Sequence, residues 1–230
     1  MIGIISALKI EVDGLKELME NAETTKKAGL EFFSGKIFDK DVVVLESGSG
    51  KVNAAVGTQI MIDLYKPDVI INSGIAGSLS KELIIGDIVI SSDCVEHDIN
   101  RTALEEPRGQ IWFTDEKRID IPADKAVSEK LAECCGGLGS HVKIGRIATG
   151  DMFVTYRRQR EFIAHEFGAL CCEMEGGAVG HVCYMNGVPF TVLRSISDDL
   201  KFNKPENYDD FKELAADRAI KALKKFIKLS

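Results

Sequence analysis

The chain has 230 residues, of which 45% are hydrophobic and 28% charged, and its formal net charge is −7. This size and composition are typical of one soluble α/β domain with a sizeable core, and the acidic balance argues against non-specific binding to nucleic acid or to an anionic membrane. The apolar start "MIGIISAL" is too short to span a membrane and lacks the basic segment of a signal peptide, so we expect a cytoplasmic protein.

Apolar runs that recur along the chain predict the strands of a sheet. In chain order they cover residues 2–7, 42–47, 68–73, 87–92, 143–149 and 189–196. Their apolar character is continuous rather than alternating, which indicates strands buried on both faces. The alternating run 31–38 predicts a further strand, paired as a hairpin with 42–47.

Segments with helical periodicity lie between these strands. They cover residues 9–22, 52–65, 123–135, 155–167, 176–186 and 207–228. The alternation of strands and helices predicts a three-layer α/β/α domain with a central mixed β-sheet, and no linker or repeat divides residues 1–230. Residues 98–122 form the longest irregular stretch, which makes them a candidate functional loop.

The cysteines and histidines give no sign of a metal site. The six cysteines include the adjacent pairs Cys134-Cys135 and Cys171-Cys172 but no CxxC motif, and the four histidines lack the spacing of metal ligands. We therefore expect buried, reduced cysteines, no metal and no organic cofactor.

Short stretches at the predicted strand ends are rich in glycine, serine or acid. They are "ESGSGK", "NSGIAGS", "ATGDMF", "CCEMEGG" and "LRSISDD". Ligands of open α/β sheets bind beyond the carboxyl ends of the strands, so a binding site is expected where these stretches meet. "SGSGK" is not a Walker loop, because Leu45 and Val52 stand where that pattern needs glycine and a hydroxyl residue. Asn53 likewise breaks the dinucleotide fingerprint.

Together these motifs resemble one family, the 5′-methylthioadenosine/S-adenosylhomocysteine nucleosidases, within the wider superfamily of nucleoside phosphorylases. The stretches that carry the resemblance are "IGIISALKIEV", "ESGSGKVNAA", "PDVIINSGIAGS", "HDINRTAL", "ATGDMFV", "EMEGGAVGHV" and "RSISDD". The resemblance spans nearly the whole chain. It implies a phosphorylase/hydrolase-like fold, a single nucleosidase domain over residues 1–230, and hydrolysis of the N-glycosidic bond of both nucleosides to release adenine. It also implies a homodimer, a small-molecule nucleoside as the ligand, and a place in methionine salvage.

The resemblance also assigns the chemistry. Glu11 matches the acid that activates the attacking water, and Asp198 matches the residue that protonates N7 of adenine. One carboxyl group acting as acid and one as base is the logic of glycoside inversion. Glu175 matches the acid that binds the ribose hydroxyls through charge-assisted hydrogen bonds. We expect Glu173 to be a structural acid that bonds backbone at the strand end.

Further positions match residues that line the family's pocket. Met174 matches the residue that packs under the sugar, Phe153 matches the ring stacked on the base, and Val154 matches the residue whose backbone reads the adenine edge. The remaining matches are Ala7 and Leu8 at the sugar, Gly77 in the glycine loop, Arg194 and Ser197 near the water and Asp198, and Tyr208, either closing the site or packing in the core.

The chain departs from the family pattern at four positions. Ile75 replaces a serine whose hydroxyl helps to hold the water, and it also argues against phosphorolysis, which needs phosphate donors at this loop. Ser49, Arg101 and Leu104 differ from the family's residues around the 5′ tail of the nucleoside. In the family, the loop that carries the positions of Arg101 and Leu104 reaches into the partner subunit's site. The first hypothesis is a pocket that prefers a polar or anionic 5′ group; the second is an Arg101 that points to solvent.

Three other functions stay open at this stage. A purine nucleoside or methylthioadenosine phosphorylase on the same fold would depend on phosphate. A nucleosidase for another 5′-substituted adenosine would differ in the 5′ pocket. A non-catalytic nucleoside-binding protein is suggested by Ile75, but it would not need both Glu11 and Asp198 beside Glu175.

Overall fold

The computed structural model describes residues 1–198 and 208–230, with the backbone alone for residues 208–212. The strands in these ranges are β1 Ile2–Ser6, β2 Glu20–Lys27, β3 Leu30–Ile37, β4 Lys40–Glu46, β5 Val69–Ser78, β6 Ile88–Glu96, β7 Ile111–Trp112, β8 Lys117–Arg118, β9 Asp120–Pro122, β10 Val142–Thr149, β11 Cys171–Glu173 and β12 Phe190–Asp198. The α-helices are α1 Lys9–Lys16, α2 Lys51–Tyr65, α3 Lys125–Cys135, α4 Arg157–Phe167, α5 Gly176–Asn186 and α6 Tyr208–Leu229.

Most strands belong to one mixed sheet with the order β11-β10-β6-β12-β5-β1-β4-β3-β2, to which β9 adds at β6. Strands β1, β5 and β12 run parallel, whereas β12 meets β6 and β3 meets β4 antiparallel. Strand β11 pairs with β10 on one side and with β5 on the other, so five strands close into a ring. The mixed sheet is confirmed, and its closure gathers several strand ends around one place.

Apolar side chains alternate between the two faces of the sheet and build a core on each. Ile5 and Ile70 pack with the inner residues of α2 and α5, whereas Ile4 and Ile71 pack with those of α1, α3 and α6. Each such side chain contributes roughly 1.5–3 kcal/mol when it is fully buried. The helices on both faces confirm the predicted three layers.

The predicted helix over residues 9–22 is wrong in its second half. Helix α1 ends at Lys16, and residues Glu20–Lys27 form the edge strand β2, every residue of which is exposed. Leu18 and Met19 continued the apolar periodicity, and they pack against the core from the turn between these elements. The strand forms because β3 offers it an antiparallel partner, a non-local contact that local periodicity cannot report.

The predicted loop 98–122 contains short ordered elements. A 3-10 helix covers Thr102–Leu104, β7 and β8 form a small hairpin, and β9 pairs antiparallel with β6. All six cysteines are buried and unpaired, as expected. None of the helices within the described ranges is long and apolar enough to cross a bilayer.

Candidate active site

A single cleft collects the ends of β1, β5, β11 and β12 and the segments after β4 and β10. It encloses about 740 Å³ including its mouth, within the range of small-molecule sites. The predicted site residues that line it are Ala7, Leu8, Glu11, Ser49, Ile75, Gly77, Phe153, Val154, Met174, Glu175, Ser197 and Asp198. The lining residues that the sequence did not single out for this role are Ser73, Gly74, Ala76, Met152, Cys172 and Glu173.

Glu175 is held at the wall of the cleft by the loop that enters α2. Its Oε1 accepts hydrogen bonds from the Gly50 N–H at 2.8 Å and from the Ser49 hydroxyl at 3.3 Å. Gly50 has φ +97°, a conformation that side-chain-bearing residues rarely adopt. Burial and then the neighbouring charge of Glu173 raise the pKa of Glu175 above its usual value. The site therefore presents a desolvated carboxyl group to its ligand.

Glu173 is a structural acid, as expected. Its Oε2 accepts from the backbone N–H groups of Glu175 at 3.0 Å and of Gly176 at 2.7 Å. It also pairs with Arg194 and accepts from the Thr149 hydroxyl. Burial opposes its ionisation, but Arg194 and these hydrogen bonds outweigh burial and lower the pKa of Glu173. This carboxylate fixes the junction between β11 and α5, and Glu175 with it.

The sequence placed Arg194 near the attacking water and Asp198, but its side chain is not among the described residues that line the cleft. Its guanidinium is buried and contacts the Asn72 Oδ1 at 2.5 Å and the Leu193 carbonyl at 3.1 Å, besides Glu173. The Glu175 Oε2 lies 3.8 Å from its Nη2. A buried cation needs a close anion, and Glu173 supplies it. Arg194 thus supports the carboxylate pair from beneath the cleft.

Asp198 is positioned by two side chains at the end of β12. The Ser197 hydroxyl donates to its Oδ1 at 3.2 Å, and the buried Arg160 of α4 pairs with its Oδ2. Arg160 also donates to the Val154 carbonyl at 3.1 Å, which ties the acid to the segment expected to read the base. A Cβ on Gly77 would lie 3.1 Å from the Asp198 Oδ1, so a glycine there leaves room for the carboxyl group.

Sequence reasoning missed Arg160. It lies in the charged stretch "RRQREF", which is typical of a solvated helix face. The available signal was its spacing, because Arg160, Ile163 and Phe167 are the buried residues of α4 and share one face. A cation on an apolar helix face predicts a buried anion opposite it.

Glu11 enters the cleft from the first turn of α1, where it is buried beside Val12 and Leu15. A carboxylate in a first turn is favoured by the helix dipole. Two acids thus reach one cleft from separate elements, α1 and β12, with Glu175 on the wall. This set can protonate a leaving base, bind vicinal hydroxyls and activate water.

Arg101 and Leu104, like Arg194, do not line the cleft. The Arg101 guanidinium lies over the Trp112 ring, 3.9 Å from its centroid, and its Nε pairs with the Glu106 Oε2 at 3.0 Å. Leu104 is 64% exposed. Tyr208 begins α6, but its side chain is outside the described residues. In this chain Arg101 is therefore engaged on its own loop.

No group of three or more His, Cys, Asp or Glu residues in the described ranges is arranged to hold a metal ion. Cys172 lines the cleft as a neutral thiol, because burial raises its pKa to about 12. The groups of the described cleft lining that can exchange protons with a ligand are therefore the carboxyl groups.

Comparison with known proteins shows a family and individual proteins to which this chain is similar. Residues 1–228 match the model of the phosphorylase superfamily. The 5′-methylthioadenosine/S-adenosylhomocysteine nucleosidase of Shewanella halifaxensis is 42% identical over 217 residues, 91% of each chain. A mutant of the corresponding Helicobacter pylori nucleosidase with 5′-methylthioadenosine in its active site superposes with a TM-score of 0.92 at 32% identity, covering 100% of this chain and 98% of that one. The native futalosine hydrolase of Helicobacter pylori strain 26695 superposes with a TM-score of 0.91 at 34% identity, and the match covers 100% of this chain and 97% of that one.

Proposed function

The chain belongs to the 5′-methylthioadenosine/S-adenosylhomocysteine nucleosidases of the phosphorylase superfamily, and from this we propose its reaction. It is an N-ribosyl hydrolase that cleaves the bond between adenine and the ribose of these two nucleosides, releasing adenine and the 5′-thio-ribose. The observation that carries the proposal is the convergence of Glu11, Glu175 and Asp198 on one cleft.

The chemistry follows from where charge develops. As the C1′–N9 bond breaks, the ribosyl group becomes positive and the base becomes negative. Asp198 donates its proton to N7 of adenine, which makes the base a better leaving group. Glu11 accepts a proton from the water that attacks C1′. Glu175 accepts hydrogen bonds from the ribose hydroxyls and stabilises the nearby positive charge.

Other lining residues would hold the two halves of the nucleoside. Phe153, half-exposed at the mouth, offers a ring for the base to stack on, and the Val154 backbone lies beside the Asp198 end. Met174, which contacts Ser49, would pack under the sugar. Ala7, Leu8 and Ile75 line the cleft and would contribute its apolar surface.

Hydrolysis is favoured over phosphorolysis by the charge of the cleft. No lysine or arginine occurs among the lining residues in the described part of the chain, whereas Glu11, Glu173, Glu175 and Asp198 all line it. A phosphate dianion would face these carboxyl groups with no cation among the described lining residues to hold it.

The test is adenine release from 5′-methylthioadenosine and from S-adenosylhomocysteine, each with and without added phosphate, with the sugar product identified. Free adenine and an unphosphorylated sugar at equal rates in both conditions are expected. A sugar 1-phosphate that forms only with phosphate would make the chain a phosphorylase instead. No release from either nucleoside would contradict the proposal.

A second candidate is a nucleosidase for another 5′-substituted adenosine. Two observations favour it: the similarity to a futalosine hydrolase, and the polar Ser49 on the cleft wall. A panel of 5′-substituted adenosines, ranked by kcat/KM, separates the candidates. A best substrate without a 5′-thio group would support the second one.

We further infer a single domain over residues 1–230 that acts as a cytoplasmic homodimer in methionine salvage. Apolar side chains left at the surface support an interface: Val52 on α2 is 72% exposed and Met185 on α5 is 68% exposed. These helices pack together, so both side chains belong to one layer. Sedimentation at micromolar concentration should give twice the chain mass, and a monomer would contradict the homodimer.

A further inference from the structure

Two buried serine hydroxyls on neighbouring strands have no hydrogen-bond partner among the described residues, namely those of Ser6 and Ser73. A buried hydroxyl left unsatisfied is unfavourable relative to one that is bonded. Ser73 is also part of the cleft wall. A polar group that is sealed from bulk solvent and faces a ligand cavity indicates that something bound there uses it.

The register of the sheet brings these two serines together. Ser6 pairs with Ser73 where β1 runs parallel to β5. Ile4 and Ile71, two residues earlier on the same strands, pack in the core cluster that contains Val12 of α1. Side chains two residues apart on a strand lie on the same face of the sheet, so both serines point to the side that α1 covers. Glu11 lies on that helix, directly before Val12. The two hydroxyls do not bond each other, so each still has a hydrogen bond to offer to a small polar molecule.

We propose that Ser73 is a second protein contact of the attacking water, with Ser6 behind it. The inference rests on the proposed function. Glu11 accepts one water proton and the Ser73 Oγ accepts the hydrogen bond of the other O–H group, so the remaining lone pair points to C1′. The oxygen then bonds C1′ while one proton passes to Glu11. The C1′–N9 electron pair leaves with adenine, which Asp198 protonates.

Ser195 provides a matched control. It lies on β12, is fully buried, and its hydroxyl also lacks a partner among the described residues. It follows Leu193 by two residues and so faces the same side of the sheet, yet it is not part of the cleft wall. Ser73→Ala and Ser195→Ala therefore remove the same group from similar surroundings, once inside the site and once outside it.

The experiment measures kcat, the affinity for methylthio-immucillin-A, and the ratio of methyl riboside to free sugar formed in dilute methanol. Ser73→Ala should lower kcat about tenfold, the worth of one hydrogen bond, with inhibitor affinity changed less than threefold. The share of methyl riboside should rise, because water loses the contact that favours it over methanol. Ser195→Ala should match the wild type in kcat and in this ratio.

The isosteric pair Ser73→Thr and Ser73→Val guards against a packing effect. Both add similar bulk, but only threonine keeps the hydroxyl, so threonine alone should keep the wild-type product ratio. Equal ratios in the two variants, or equal effects of Ser73→Ala and Ser195→Ala, would overturn the inference. A wild type that releases no adenine would instead overturn the proposed function.

Discussion

Glu173 and Glu175 stand two residues apart at the end of β11, and the pKa values of their carboxyl groups are shifted in opposite directions. Burial disfavours the charged form of both. Arg194, the Thr149 hydroxyl and backbone N–H groups outweigh burial at Glu173, whereas at Glu175 the charge of Glu173 adds to it. Glu173 thus serves to stabilise the structure, whereas Glu175 remains available to bind a ligand.

Glu173→Gln should destabilise the protein by about 3–5 kcal/mol at pH 7, because Arg194 would remain buried without its close anion. A lowered pKa means that Glu173 contributes stability above the unfolded-state value of 4.5 and loses it as the pH falls through its folded-state value. The difference in the free energy of unfolding between the wild type and the variant should therefore decrease at acidic pH. Urea unfolding at several pH values measures it, and equal midpoints at pH 7 would contradict the structural role.

Glu175→Gln should have the reverse effect on stability. Because its folded-state pKa is raised, ionisation of Glu175 costs stability as the pH rises above the unfolded-state value of 4.5. The variant should be at least as stable as the wild type at pH 7, while kcat/KM falls about 10- to 100-fold for loss of charge-assisted hydrogen bonds to ribose. Unfolding and steady-state assays on the same preparations test both parts. A destabilised variant with full activity would refute the assignment.

Asp198→Asn should abolish adenine release and leave binding of methylthio-immucillin-A largely intact. The amide keeps one oxygen for Arg160, and its NH2 group can donate to the Ser197 hydroxyl, so the geometry at the end of β12 should persist, but the amide has no acidic proton for N7. Product assays and calorimetry provide the two readouts. Activity near the wild-type level would refute Asp198 as the acid.

Arg101→Ala should change the ratio of kcat/KM for S-adenosylhomocysteine to that for 5′-methylthioadenosine by less than about twofold, since Arg101 is held by Trp112 and Glu106. Ser49→Ala is the comparison, because Ser49 lines the cleft and contacts Glu175. A larger shift from Arg101→Ala than from Ser49→Ala would instead support the hypothesis that this arginine selects an anionic 5′ group.

Local pattern was enough for most elements. The continuous apolar run 42–47 predicted β4, and the small-residue run 176–186 predicted α5 with its observed bounds. Strands and helices of this kind are specified by neighbours in sequence, through the length and composition of an unbroken run. The resemblance to the nucleosidase family likewise identified Glu11, Glu175 and Asp198 as residues of one site; their catalytic roles stay predictions.

Tertiary structure alone decided four other features. The polar segment of β2 became a strand because β3 lay beside it, and β11 closed the ring by pairing with β5. Arg160 reached Asp198, and Arg194 turned to Glu173, because a buried charge takes the nearest opposite charge that packing supplies. Partners of this kind lie 38 and 21 residues apart in the chain, so no local pattern carries their pairing. The sequence determined which groups were available, and the closed sheet decided which of them meet.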